Sequence, residues 1–148
     1  MEYKAIVINL EKDTERLCSL RKQFDNLGIN FIRFNAINGR EYLQEKNNTS
    51  EYDPLLAISK NGKGLSEGEL GCALSHKRCL EYLISINKTD PNIEYILICE
   101  DDILITDHNF KKIIEETTLG KDLYNKQLEV AYITNHWRLE SFLKMSAK

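Results

Sequence analysis

No apolar run in this sequence approaches the roughly 20 residues needed to cross a bilayer, so it holds no candidate transmembrane segment. Neither sign of charge dominates. A net charge of -3 gives no electrostatic case for nucleic acid or an anionic membrane as partner. The glycine loops that cradle phosphates are missing. Without Gly-x-Gly-x-x-Gly or Gly-x-x-x-x-Gly-Lys-Ser/Thr, the dinucleotide-binding and P-loop folds lose support. There is no Gly-x-Ser-x-Gly elbow to present a nucleophilic serine. There is no Cys-x-x-Cys pair to complete a closed zinc site. Met1-Glu2-Tyr3-Lys4 lacks the charged-then-apolar pattern of a secretory signal. These features predict a cytoplasmic location, free or peripheral at the inner face of the membrane.

What is present has the composition of a globular protein: 42% of residues are hydrophobic and 29% charged. Its 148 residues suffice for a single domain with one core. Cys18, Cys72, Cys79 and Cys99 fall inside apolar or helical patterns and read as small hydrophobes of a reducing compartment. Residues 5–10 form a β-rich apolar run. A helix follows, capped by Asp13 or Thr14, with Leu17, Leu20, Phe24 and Leu27 on one face and Gly28 as its stop. Residues 29–36 alternate as a second strand. Residues 37–63 are polar and Asn-rich, and predict a long functional loop with at most a helical turn near 52–58. Ser66-Glu67-Gly68-Glu69 has the form of a capping box and opens the longest helix, over 66–86. A strand over 95–99 comes next, then a helix capped by Asp107 and carrying Phe110, Ile113 and Ile114. Residues 128–134 read as a further strand and 138–148 as a short helix or tail. The order is that of an α/β nucleotide-binding fold.

Three constellations carry chemistry. Tyr95-Ile96-Leu97-Ile98-Cys99-Glu100-Asp101-Asp102 is an apolar run that stops at three acids. Its lack of alternation suits a strand buried on both faces of a parallel sheet, and ligands bind at the carboxyl ends of such strands. Three adjacent carboxylates repel one another unless a cation or proton lies between them. A hard divalent metal that also touches phosphate answers that need, the plainer alternative being an acidic strand-to-loop turn left in solvent. On an extended backbone Glu100 and Asp102 share one side, with Asp101 opposite.

The second constellation is Leu65 to His76, LSEGELGCALSH, where two early helical glycines allow another backbone or a ligand to come close. Ser75 and His76 offer a hydroxyl and an imidazole, with a partly buried, satisfied histidine as the plainer reading. Cys72, His76 and Cys79 at i, i+4 and i+7 form a weak third set, short of the four ligands of a structural zinc. Arg16 at the start of the first helix sits where nucleotides are met. Asn38-Gly39 has a turn reading that needs no ligand.

Four segments in order resemble the bacterial lipooligosaccharide glycosyltransferases of glycosyltransferase family 25. They are Val7-Ile8-Asn9-Leu10 with Arg16, Phe34-Asn35-Ala36-Ile37-Asn38-Gly39, LSEGELGCALSH over 65–76, and ILICEDD over 96–102. The resemblance covers residues from about 7 to 102. It implies a GT-A-like nucleotide-sugar-binding sheet with flanking helices, here the N-terminal part of the full fold. It also implies a metal, manganese or else magnesium, at Glu100 and Asp102, with Asp101 on the metal or the ribose. Asn9, Arg16, Ala36 and Asn38 would line the nucleotide side, with Ser75 and His76 near the donor. The implied reaction moves a hexose, galactose from UDP-galactose foremost, to a lipooligosaccharide or LPS saccharide acceptor. No catalytic base is identified.

Family members continue well past the acids, whereas only residues 103–148 follow here. This chain is therefore expected to bind donor, to transfer sugar poorly, and to self-associate through uncovered sheet surface. Two alternatives stand beside the transferase. One is a phosphotransfer receiver-like signalling domain, which also ends an apolar strand in acids. The other is a non-catalytic nucleotide-binding remnant.

Overall fold

The computed structural model describes residues 2–45, 51–90 and 92–119. Its elements run β1 (Glu2–Asn9), α1 (Thr14–Asn26), β2 (Phe31–Asn35), α2 (Gly39–Gln44), α3 (Pro54–Asn61), α4 (Glu67–Thr89), β3 (Ile93–Glu100) and α5 (Phe110–Leu119). The strands form one parallel sheet in the order β2-β1-β3. The mixed α/β architecture, a parallel sheet with flanking helices, is that expected of the N-terminal part of a GT-A-like fold.

Burial on both faces accounts for the unbroken apolar run of β1. Ala5 and Val7 pack with Leu20 and Phe24 of α1 and Ile114 of α5. Ile6 and Ile8 face the other way, onto Cys79 of α4. Successive side chains of a strand point to opposite faces, so a central strand between two helical layers must be apolar at every position. Phe24, fully buried, meets Phe31 of β2 edge to face at 5.3 Å between ring centroids. Gly28 closes α1 with φ of 63°, the left-handed conformation foreseen for it.

The register brings the strand ends level. Asn9 pairs with Asn35 and Ile8 with Glu100, so β1, β2 and β3 all deliver polar residues to the same edge of the sheet. Beyond β3, Gln23 of α1 clamps the chain. Its amide donates to the Ile103 carbonyl and its oxygen accepts from the Ile105 amide. That clamp fixes where the acidic turn sits.

The stretch over 37–63 departs from expectation, because it holds two helices rather than one turn. Asn38 is the N-cap of α2, its side chain accepting from the Arg40 amide. Asp53 caps α3, Pro54 occupies its first turn, and Gly62 ends it at φ of 76°. A helix of six residues such as α2 is too short to show a periodic apolar face, and Asn-Gly serves a cap as readily as a turn. Beyond these, Ser66 and Glu69 form the reciprocal capping box at the start of α4. The strand expected over 128–134 and the helix over 138–148 lie outside the described residues.

Candidate active site

A cavity of about 460 Å³ opens at the carboxyl ends of the three strands. Arg16, Ala36, Asn38, Ser75 and His76 line it together with Glu100, Asp101 and Asp102. Asn9 lies just behind that wall, 1% exposed. Lys12, Arg40 and Cys72 also line it. Lys12 and Arg40 were missed in the sequence reading. The signal that could have found them is closeness to singled-out residues: Lys12 lies four residues before Arg16, and Arg40 directly follows Asn38-Gly39.

Asp101 is the most tightly held of the acids. Its Oδ2 accepts from Asn9 Nδ2 at 2.6 Å, and its Oδ1 meets Arg16 at 3.6 Å. Asn9 is in turn fixed on all sides: Nδ2 also donates to the Asp13 carbonyl, and Oδ1 accepts from Arg33 Nε at 2.8 Å. A buried amide with every group satisfied is a rigid support, since any displacement strands a donor or acceptor. Arg16, by contrast, keeps its side chain 59% exposed.

Glu100 turns toward α4. Its Oε1 accepts from the Cys72 thiol at 3.1 Å and lies 3.1 Å from His76 Nε2. The Cys72 hydrogen bond holds the Glu100 carboxyl below its usual range, with His76 adding to the effect and desolvation opposing it. Desolvation pushes the Cys72 thiol up to about 11, reinforced by the Glu100 hydrogen bond and by the charges of Glu100 and Asp102. Cys79 takes no part. It is fully buried against Ile6 and Ile8, so the i, i+4, i+7 set of soft ligands is not assembled. Strand geometry ends at Glu100, and Asp101 and Asp102 form a turn. Asp101 lies on the Asn9 side and Glu100 on the α4 side, the opposition that alternation predicts, and it persists into the turn.

The paired glycines of α4 separate into two roles. A Cβ on Gly71 would come 2.6 Å from the Ile37 carbonyl oxygen, whereas one on Gly68 would meet nothing within 4 Å. Gly71 therefore admits the backbone of the β2–α2 connection, and Gly68 leaves the cavity wall open. Ser75 seals the same junction. Its Oγ accepts from the Ile37 amide at 2.8 Å and donates to the Gly71 carbonyl at 2.6 Å. Ser75→Ala strands the Ile37 amide and is expected to cost about 1–3 kcal/mol of stability. Among the described residues His76, partly open to the cavity, hydrogen-bonds Glu100 alone, so His76→Ala is expected to leave stability nearly unchanged. Urea denaturation of the two variants beside the parent checks the contrast.

The sequence profile of the family described as glycosyltransferase family 25 (LPS biosynthesis protein) matches residues 2–147. The chain belongs to glycosyltransferase family 25. The match runs well beyond the segment ending at Asp102 on which the resemblance first rested. Among individual relatives, a glycosyltransferase 25 family member of Anopheles gambiae is 33% identical over 103 residues, covering 66% of this chain and 16% of its own. One from Aedes aegypti is 32% identical over 99 residues, with the same coverage of each chain. A provisionally named glycosyltransferase of Haemophilus influenzae is 31% identical over 123 residues, or 83% of this chain and 40% of the relative. The family 25 chain thus spans well under half the length of these relatives. Membership favours the transferase reading over the receiver-like alternative. No helix among the described residues is long and apolar enough to cross a membrane.

The family 25 site offers oxygen donors of the kind hard divalent cations take. Glu100 and Asp102 line the open cavity, and Asp101 stands beside them, already engaged by Asn9 and Arg16. The residues present fit such an ion.

Proposed function

We propose that this cavity binds a nucleotide sugar and that the protein transfers a hexose from it to a saccharide hydroxyl. UDP-galactose is the foremost donor, and a lipooligosaccharide or LPS core sugar the acceptor. The observation that carries the reading is the meeting of Glu100, Asp101 and Asp102 with Arg16 at the carboxyl ends of parallel strands, around a cavity of nucleotide size. Glu100 and Asp102 would hold manganese or magnesium, which supplies charge neutralisation for a departing diphosphate.

The chain's own residues have distinct parts. Asp101, braced by Asn9, presents a fixed carboxylate toward a ribose hydroxyl or the ion. Arg16 sits in the first turn of α1, exposed enough to turn toward a phosphate, with the positive end of the helix dipole beside it. Ala36 and Asn38 place a small side chain and a cap at the cavity rim where a base would lie. His76 stands on the Glu100 side, near the transferring sugar.

Saturation-transfer NMR on the chain tests the donor. UDP-galactose and UDP are expected to give strong uridine enhancements and to displace one another, whereas GDP- and CMP-sugars give weak ones. Equal enhancement by all nucleotides would remove the UDP reading.

A further inference from the structure

We propose that Cys72, His76 and Glu100 form a second, three-ligand metal site, specific for a thiophilic divalent cation such as zinc and sharing Glu100 with the oxygen-donor pair. The thiol sulfur, an imidazole nitrogen and a carboxylate oxygen of these residues all lie within 4.8 Å of one another. Cys72 Sγ and His76 Nε2 each stand 3.1 Å from Glu100 Oε1. In a tetrahedral zinc site, bonds of about 2.3 Å to sulfur and about 2.0–2.2 Å to nitrogen and oxygen place neighbouring ligand atoms about 3.3–3.7 Å apart. The two short contacts lie slightly inside the edges of such a tetrahedron, so a small outward rotation of the side chains would admit the ion.

The fold supplies this set from two packed elements. Cys72 and His76 are one helical turn apart on α4, the i, i+4 spacing at which a single helix offers two ligands to one ion. Glu100 ends β3, against which α4 packs. Cys72 is exposed and His76 half-buried, so an ion reaches them without opening the core. The fourth coordination position faces the cavity, an open arrangement of three protein ligands.

The donor set discriminates between cations. A thiolate and an imidazole favour zinc over magnesium or manganese, whereas Glu100 with Asp102 offers oxygen alone. Coordination replaces the proton that the Cys72 thiol now shares with Glu100, and it withdraws Glu100 from any neighbouring hard cation. Zinc at this position therefore draws on the same carboxylate that a hard cation at Glu100 and Asp102 would use.

Cobalt titration of the full chain, reduced with a non-thiol phosphine and without nucleotide, tests the site directly. One equivalent is expected to give a sulfur-to-cobalt charge-transfer band that zinc abolishes. Cys72→Ala should eliminate the band, and His76→Ala and Glu100→Gln should each weaken cobalt binding at least tenfold. Cys18→Ser, which changes an exposed thiol on α1, should leave it intact. Circular dichroism confirms that each variant is folded. Absence of the band in the parent, its persistence in Cys72→Ala, its loss in Cys18→Ser, or unchanged affinity in either His76→Ala or Glu100→Gln would overturn the assignment.

Discussion

Gly39→Ala is expected to cost about 3 kcal/mol or more, enough to unfold a marginal domain at moderate temperature. An added Cβ at this position would lie 1.8 Å from the Glu67 carbonyl oxygen and 2.9 Å from the Gly71 amide nitrogen. Both are backbone atoms, so no side chain can rotate away. Relief requires the β2–α2 connection and the first turn of α4 to part. That would break the bond from the Ile37 amide to Ser75 and disturb the packing of Tyr42 against Leu70 and Leu74. The same movement would carry Asn38 and Gly68 away from one another across the cavity. Gly68→Ala is the internal control. Its added methyl meets nothing, and the gain in helix propensity is up to about 1 kcal/mol. Thermal and urea unfolding of the pair measure the difference, and equal behaviour would mean the junction is looser than described.

The second large effect concerns the acids. Asp102→Ala is expected to weaken metal-supported UDP binding by about 100-fold, the upper end of what loss of a supporting group around a metal costs. Asp102 is exposed in a turn, and among the described residues nothing hydrogen-bonds its carboxylate, so its removal should leave the fold intact. Asp101→Ala differs in kind. It would leave Asn9 Nδ2 short of one partner and free Arg16, and should lower stability as well as affinity. The contrast between an acid that binds and an acid that also braces the wall is a signature that bulk charge loss would not produce.

Much of this was legible from residues alone, for physical reasons that differ by element. The runs at β1 and β3 lack alternation because helices cover both faces, and that pattern is local enough to read. The capping box of α4 is written in four residues and appears as written. Asn38-Gly39 was ambiguous because Asn caps a helix and enters a turn by the same side-chain bond. What decides between them is the Glu67 and Gly71 backbone, 28 or more residues away in sequence. The same long-range packing separates Gly71, which admits backbone, from Gly68, which faces the cavity. The grouping of Cys72 and His76 with Glu100 rather than Cys79 was hidden in the same way. Helical spacing alone puts Cys79 near their face, but the sheet captures it through Ile6 and Ile8. Alternation did place Asp101 opposite Glu100, and the structure has Glu100 against α4 and Asp101 against Asn9 and Arg16, although the strand itself ends at Glu100.

Isothermal titration of UDP into the chain, with and without manganese, bears most directly on the central claim that the acidic strand end holds a cation-supported nucleotide. The account predicts that manganese tightens UDP binding at least tenfold in the parent and has almost no effect in Asp102→Ala. Equal UDP affinity with and without manganese, or equal enhancement in the parent and in Asp102→Ala, would contradict it.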